Sequence, residues 1–516
     1  MAVNVLFVVF VVSVLYFFFK WRNGYWRRRG IDGPEPLPMF GNILNLLNGT
    51  EFPPVLQIRE WSKKYGKVFG IQEGWRNVLV VSDVDMLQEL FVKKFENFHG
   101  RKLFSLASNP DTEPNVHVFD ARGARWKRLR NLSNPSFSVN NLKKILPTVQ
   151  HSVDVMVDFI EQHANTDKSF NIHTFYQELT MDVIARIAMG QKGTRQFAND
   201  YLENVKGVFT RPLNSVFVVI PFIFPFLQTF MRRVVMTLSK FGVRKVPFRE
   251  LLRQIEEAVK ERKEARARGE REEVDEFGNA RVDFIDLFLD VEADSIDEKD
   301  QFDRSGQKVE KKMTISEVVS QCLVFLLAGF DTTANSLAYA SFCLAKSPEV
   351  QRRVQEEIDE FCVDSEVTYE QLQKLTFMDK VVKEALRLYP LGAFANSRVC
   401  MKSTTLGEVK IEKGTYVQAD VFSVHYDPKL WENPEQFNPD RWDSEEKRHL
   451  LAWFPFGAGP RTCVGMRLAY MEEKLALIKI LRRFNIVAAP DTEDKLKLIG
   501  GSVVQPEAVT VRLQSR

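Results

Sequence analysis

Apolar positions along the chain fall into distinct patterns, and each predicts a different element. Ala2 to Phe19 is apolar almost without break, interrupted only by Asn4 and Ser13. A run of that length can span a bilayer as a helix. Next comes Ile31-Asp-Gly-Pro-Glu-Pro-Leu-Pro38, whose prolines exclude a helix and predict a stiff extended strap. Lys67 to Asp83 predicts a β-hairpin, KVFGIQEG and VLVVSD about a turn at Arg76-Asn77. Thr404 to Asp420 predicts a second short β region, punctuated by Gly407 and Gly414. Most of the remainder has helical periodicity, without internal repeats. Thr314-Ile-Ser-Glu317 reads as a capping box, and a helical pattern continues from it to about Ala345. At ~1.5 Å per residue this is a helix of about 45 Å. Val318, Val319, Leu323, Val324, Phe325, Leu326 and Leu327 cover nearly its whole circumference. A helix apolar all round is buried, so it should run through the centre of the protein. The fold class expected is mainly α with small β-sheets.

Two segments depart from these patterns. Val216 to Leu227 is as apolar as the N-terminus but too short to span a membrane, and Pro221 and Pro225 break it. It reads either as a buried core connection or as a surface loop dipping into a membrane, and the second is preferred. Glu261 to Glu276 is a dense mixed charge run, best read as a solvated helix face and loop.

Charge settles the direction of the first helix. Lys20, Arg22, Arg27, Arg28 and Arg29 succeed the apolar run at once, so the body should lie on the cytosolic side. A cleaved secretory signal would need a basic residue before the run and a small-residue cleavage site after it, and neither is present. The 516 residues carry a net charge of +3, and no long basic tract suggests nucleic acid. The cysteines are Cys322, Cys343, Cys362, Cys400 and Cys463; their number is odd and no two form C-x-x-C. Zinc ribbons, thioredoxin motifs and covalent C-x-x-C-H haem attachment are thereby excluded. Unpaired thiols fit a reducing compartment.

Candidate chemistry gathers at three places. The long helix carries Ala328-Gly-Phe-Asp-Thr-Thr333 at its middle. A glycine there costs helix stability, a buried acid is expensive, and threonine hydroxyls can turn onto carbonyls a turn back. Together they read as a groove with a proton path. Glu384-Ala-Leu-Arg387 puts two charges on one helix face, and downstream Arg441 lies in the turn-rich Phe437-Asn-Pro-Asp-Arg-Trp442. If the three met inside the fold, they would brace the third place, Phe454-Pro-Phe-Gly-Ala-Gly-Pro-Arg-Thr-Cys-Val-Gly465. Gly457, Gly459 and Pro460 permit a tight turn, Gly465 lets the backbone approach something flat, and Arg461 brings a positive charge. Cys463 then sits at a helix N-terminus, where the dipole favours a thiolate able to ligate metal. Gly457-Ala-Gly459 begins like a dinucleotide fingerprint, but Thr462 occupies the third glycine position and no βαβ context surrounds it. A nucleophilic cysteine with distant His425 or His449 as base stays open.

These residues resemble the cytochrome P-450 family. Phe456-x-x-Gly459-x-Arg461-x-Cys463-x-Gly465 is similar to its haem-binding signature. Ala328-Gly329-x-Asp331-Thr332, Glu384-x-x-Arg387, the Phe437–Trp442 loop and Trp126-x-x-x-Arg130 match in the family's order. The likeness is to microsomal class II members, within the animal group containing the vertebrate 3A enzymes, and there to nematode family 13A. It implies a cytochrome P-450 fold in three parts: a transmembrane signal-anchor at 1–20, a basic and proline-rich linker at 21–38, and a haem-thiolate domain at 39–516. It implies Cys463 as the thiolate ligand of haem b iron, and Asp331 and Thr332 as the groups that deliver protons when dioxygen, the co-substrate, is used. Trp126, Arg130, Arg398 and Arg461 match positions that hold the haem propionates. Phe456, Gly459 and Gly465 belong to the cofactor loop, and Glu384, Arg387 and Arg441 to a scaffold triad. Phe104, Phe330, Ala334, Ala393, Phe394, Val503 and Val504 match pocket positions, though core packing is nearly as good a reading of each.

The expected activity is insertion of one oxygen atom into a lipophilic steroid, fatty acid or foreign compound at the endoplasmic reticulum membrane. NADPH would act through NADPH–cytochrome P-450 reductase, with cytochrome b5 a further partner, and Arg125, Lys127 and Arg128 form the expected docking face. The alternatives are a haem-thiolate isomerase or dehydratase of lipid peroxides, and a haem-containing binding protein.

Overall fold

The computed structural model describes residues 2–47, 52–104, 106–107, 109–209, 215–242, 246–270, 274, 277–278, 283–294, 310–444 and 448–516. The helices that position the site are α1 (Ala2–Asn23), α2 (Gly123–Ser133), α3 (Ile172–Met189), α4 (Leu202–Phe209), α5 (Val216–Ile223), α6 (Gln228–Lys240), α7 (Ile315–Ala345), α8 (Thr376–Leu388) and α9 (Met466–Arg483). The strands beside the site are β1 (Val68–Glu73), β2 (Arg76–Val81), β3 (Ser397–Val399), β4 (Thr404–Leu406), β5 (Val409–Ile411) and β6 (Tyr416–Ala419).

The apolar circumference of α7 dictates the architecture. Its capping box forms as expected: the Thr314 hydroxyl accepts the Glu317 N–H, and the Glu317 carboxylate accepts the Thr314 N–H at 3.1 Å. From there α7 runs buried through the main core, packed along α3 and flanked by α8 and α9. Gly329 has a packing reason of its own. A Cβ there would lie 2.8 Å from the Ile184 side chain of α3, so this glycine lets two helices approach closely.

The β structure beside the site is a four-stranded sheet in the order β1-β2-β6-β3, with β4–β5 a separate hairpin; a three-stranded and a two-stranded sheet lie elsewhere. The β1–β2 register pairs Glu73 with Arg76, so the turn is Gly74-Trp75 and not Arg76-Asn77. Gly74 takes φ +57°, and a Cβ there would meet the Phe222 carbonyl oxygen at 2.4 Å. Glycine's freedom at Gly74 thus outweighed the turn propensity of Asn77.

α1 exposes its apolar side chains, Val5 and Phe10 among them, and is the candidate membrane anchor. α7 is also long and apolar enough to cross a membrane, but it is buried within the protein. The chain after α1 is docked to the body. Trp26 is buried and its indole N–H donates to the Ile71 carbonyl at 3.1 Å. The Phe18 and Phe19 rings rest on Trp75 at 6.1 and 6.4 Å. The Trp75 N–H in turn donates to Phe222 of α5 at 2.8 Å.

The Val216–Leu227 segment is half packed. Pro221 sits inside α5, and Pro225 begins a single 3-10 turn. Val218, Pro221 and Ile223 are buried, whereas Phe226 is 75% and Phe230, on α6, 60% exposed. The charge run closes a largely exposed helix, Pro247–Ala267; its residues 271–273 and 275–276 lie outside the described residues.

Candidate active site

The cysteine loop is built by its glycines. Gly457 and Gly459 take φ +74° and +68°. A Cβ at Gly459 would lie 2.0 Å from the Phe91 carbonyl oxygen, so no other residue fits. The Cys463 N–H donates to Phe456 at 2.9 Å and closes the loop, and α9 starts three residues on with Gly465 as N-cap. Gly465 differs: its φ is −85°, and a Cβ would only touch the Phe137 ring at 3.6 Å. Packing within the protein does not demand glycine there.

Cys463 is exposed although protein surrounds it, so its sulfur opens onto interior space. Burial pushes its thiol above the ordinary value, while the Gly465 and Met466 N–H groups and Arg130 and Arg101 pull it down. The helix terminus thus favours the thiolate as the sequence suggests, but burial opposes it more strongly, and a cation beside the sulfur would add to the groups that favour the charged form.

Four arginines converge nearby. Arg461 stacks over the Trp126 ring at 4.7 Å and donates to the Phe119 and Ala121 carbonyls. Arg398, 1% exposed on β3, donates to the Ser397 carbonyl at 2.8 Å and lies over Phe91. Arg130 stands one turn beyond Trp126 on α2. Arg101 donates to the Arg461 carbonyl at 3.2 Å. Burial and mutual repulsion hold Arg461 well below its ordinary value, opposed by the Asp120 carboxylate. The Nε atoms of Arg101, Arg398 and Arg461 are buried without an acceptor. Buried donors and charges require partners. Excess guanidinium charge beside an inward-facing sulfur fits haem b, which brings a metal and two carboxylates, so the residues present fit the group. Sequence reasoning misses Arg101 because no spacing marks it; only its burial among like charges does.

The middle of α7 forms the second wall. Ala328 is exposed and Val324, Leu327, Gly329 and Thr332 are half-exposed on a helix otherwise buried around them. The Thr332 hydroxyl donates to the Ala328 carbonyl at 2.7 Å, the back-bond expected of a threonine mid-helix. Asp331 is buried, and its oxygens accept N–H groups from Asn335 at 3.1 Å and Gln177 at 3.3 Å. Burial pushes its carboxyl up to about 6.

Glu384, Arg387 and Arg441 do meet inside the fold. Arg387 pairs with Glu384 through both carboxylate oxygens at 2.9 and 3.0 Å, and Arg441 Nε reaches Glu384 at 2.8 Å. The Trp442 indole donates to the same carboxylate, and Arg387 donates to the His425 and Pro434 carbonyls. Neither candidate base is free to serve Cys463. The Nε2 of His425 accepts the Phe454 N–H at 3.1 Å and its Nδ1 faces the Arg387 carbonyl, so it braces the cysteine loop instead. The Nδ1 of His449 accepts the Leu451 N–H, and its Nε2 lies 3.6 Å from Asp85.

The pocket positions divide. Phe104 and Phe394 stack with ring centroids 4.5 Å apart. Phe330 and Ala334 are buried in the main core, Ala393 and Val504 are buried in the core beside the sheet, and Val503 is half-buried. The docking face is corrected. Arg128 is buried and bound to Glu317 at 2.9 Å, and Arg125 is tied to the same carboxylate, so both are structural. Lys127 remains half-exposed.

The sequence model of the cytochrome P-450 family matches residues 31–512. Among curated relatives from Caenorhabditis elegans, the cytochrome P-450 named CYP13A3 is 42% identical over 100% of this chain and 99% of its own length. The one named cyp-13B1 is 44% identical with the same coverage, and CYP13A1 is 43% identical over 98% of each. The nematode likeness read from the sequence is thus borne out, at near-equal identity to 13A and 13B members.

Proposed function

The chain belongs to the cytochrome P-450 family, and from that premise we propose a membrane-anchored, NADPH-dependent monooxygenase of lipophilic compounds. Family membership carries haem b, dioxygen use and monooxygenase chemistry in general. The single observation behind the finer reading is the inward-facing Cys463 sulfur amid arginines with orphaned Nε donors. In this reading Cys463 would ligate the haem iron as a thiolate, and Arg101, Arg130, Arg398 and Arg461 would hold the propionates with Trp126 as a stacking support. Haem b bound there would supply dioxygen activation, the chemistry by which one oxygen atom enters a substrate and the other, with two electrons and two protons, becomes water. Thr332, on the uncovered strip of α7, holds a proton at its hydroxyl near the reacting space, and the Asp331 carboxyl replenishes it. The buried triad Glu384–Arg387–Arg441 fixes the loop before the cysteine. Phe104 and Phe394 supply an aromatic wall for an apolar substrate and exclude water.

Residues 1–20 anchor the protein in the endoplasmic reticulum membrane, 21–38 form the docked strap, and 39–516 the cytosolic haem-thiolate body. Phe226 and Phe230 lie in the same bilayer surface. Electrons come from NADPH through a reductase, with cytochrome b5 as a further donor, and Lys127 contributes to docking. The test is reconstitution with NADPH–cytochrome P-450 reductase, a panel of lipophilic compounds and isotope-labelled dioxygen. The expected result is a product carrying one labelled oxygen, formed only with NADPH. Turnover of lipid hydroperoxides without NADPH, and no labelled product, would replace this reading by an isomerase.

A further inference from the structure

A chain of buried polar groups crosses from α3 to α7 and ends on Asp331. The Nε2 of His173 lies 2.7 Å from the Oδ1 of Asn335. The Nδ2 of Asn335 donates to one Asp331 oxygen at 3.1 Å, and the Nε2 of Gln177 to the other at 3.3 Å. His173, Asn335 and Asp331 are all buried. The Thr180 hydroxyl, which donates to the Phe330 carbonyl at 2.7 Å, pins the same turn of α7 to α3.

The order of donors in this chain is fixed by chemistry. A primary amide offers an acceptor at one end and a donor at the other, in nearly the same shape. Which end faces a carboxylate must be set by a third group. His173 faces the acceptor end, so its Nε2 carries the proton. Burial keeps the imidazole neutral, its value pushed down to about 4. A reversed amide would set its oxygen against the carboxylate oxygen and would need the other imidazole tautomer, with Nε2 accepting, so the charged Asp331 and the Nε2–H tautomer of His173 select one orientation together. The histidine thus orients the amide, and the amide presents its N–H to the acid.

We propose that His173 and Asn335 are positioning residues that hold the Asp331 carboxyl in one orientation and supply the N–H favouring its charged form. This rests on the reading of Asp331 as a proton-delivery group. The groups facing Asp331 are Gln177 from α3, Lys206 from α4, and Asn335 and Tyr339 from α7 itself, with His173 of α3 reaching it only through Asn335. Burial raises its carboxyl, while the two amide N–H groups and the Lys206 charge lower it, so losing the Asn335 N–H raises it further.

The test titrates the carboxyl by infrared difference spectroscopy of the haem-loaded protein, with Asp331→Asn as the blank. The wild-type midpoint is expected at about 6. Asn335→Ala and His173→Leu should each move it upward by about one pH unit, a ten-fold change in the ratio of the two forms. His173→Gln, whose amide N–H can replace Nε2–H, should restore it even where the leucine variant folds poorly. The pH at which product formed per NADPH falls by half should move in step. An unchanged midpoint in Asn335→Ala, or no difference between His173→Gln and His173→Leu, overturns the proposal. Shifted midpoints with coupling indifferent to Asp331→Asn would instead defeat the delivery reading alone.

Discussion

At the scale of single residues, the structure turns suggestive side chains into separable roles. Thr332 meets both its readings: its hydroxyl back-bonds to Ala328, yet it stands on the uncovered strip of α7. Thr332→Ala should therefore leave stability within about 0.5 kcal/mol, as for a substitution away from packed features, and lower product formed per NADPH consumed while peroxide or water rises. Unchanged coupling would remove Thr332 from proton delivery. Glu384 is different, because its charge neutralises two buried arginines. Glu384→Gln should cost about 3–5 kcal/mol in denaturant unfolding, as expected when a buried pair loses one partner. His425 gives a pH signature. Burial pushes its imidazole down to about 3 from 6.5. The unfolded chain thus binds that proton more tightly than the folded one. Its contribution is fully present above pH 6.5 and is lost as pH falls towards 3. Unfolding free energy measured across that range should fall less steeply for His425→Gln than for the wild type.

At the scale of elements, the long and strongly patterned ones are legible in the sequence. The Thr314–Glu317 box, the burial of α7 and the β regions all follow from spacing alone, because each local signal agrees with the global packing. The hairpin turn lies two residues before its predicted place, since the close approach of Phe222 that demands Gly74 is not written locally. Arg101 and the burial of Arg128 are illegible for the same reason: both depend on partners distant in sequence, Arg461 and Glu317. The cysteine loop is legible as a glycine-rich turn, but not why its glycines differ. Gly459→Ala should prevent folding of the loop, because φ +68° and the Phe91 carbonyl both forbid a Cβ. Gly465→Ala should leave the stability of the haem-free protein nearly unchanged and weaken haem retention. Equal losses of stability in the two variants would show that Gly465 answers to protein packing after all.

At the scale of the whole molecule, the candidate anchor helix, the Gly74-Trp75 turn and the α5 segment are joined through Trp75 and Phe222. Removing residues 2–20 should therefore reduce but not abolish vesicle binding in flotation assays, and adding Phe226→Ser and Phe230→Ser should abolish it. Full release on truncation alone would make α5 a purely internal connection. The chemistry of the molecule still turns on the sulfur at position 463. The most direct measurement is the absorption spectrum of the reduced protein under carbon monoxide, for the wild type and for Cys463→Ser. The wild type should show the strongly red-shifted Soret band of thiolate-ligated haem, and the variant should lose it. A wild type without that band, or a variant that keeps it, would contradict the assignment of Cys463 as the iron ligand.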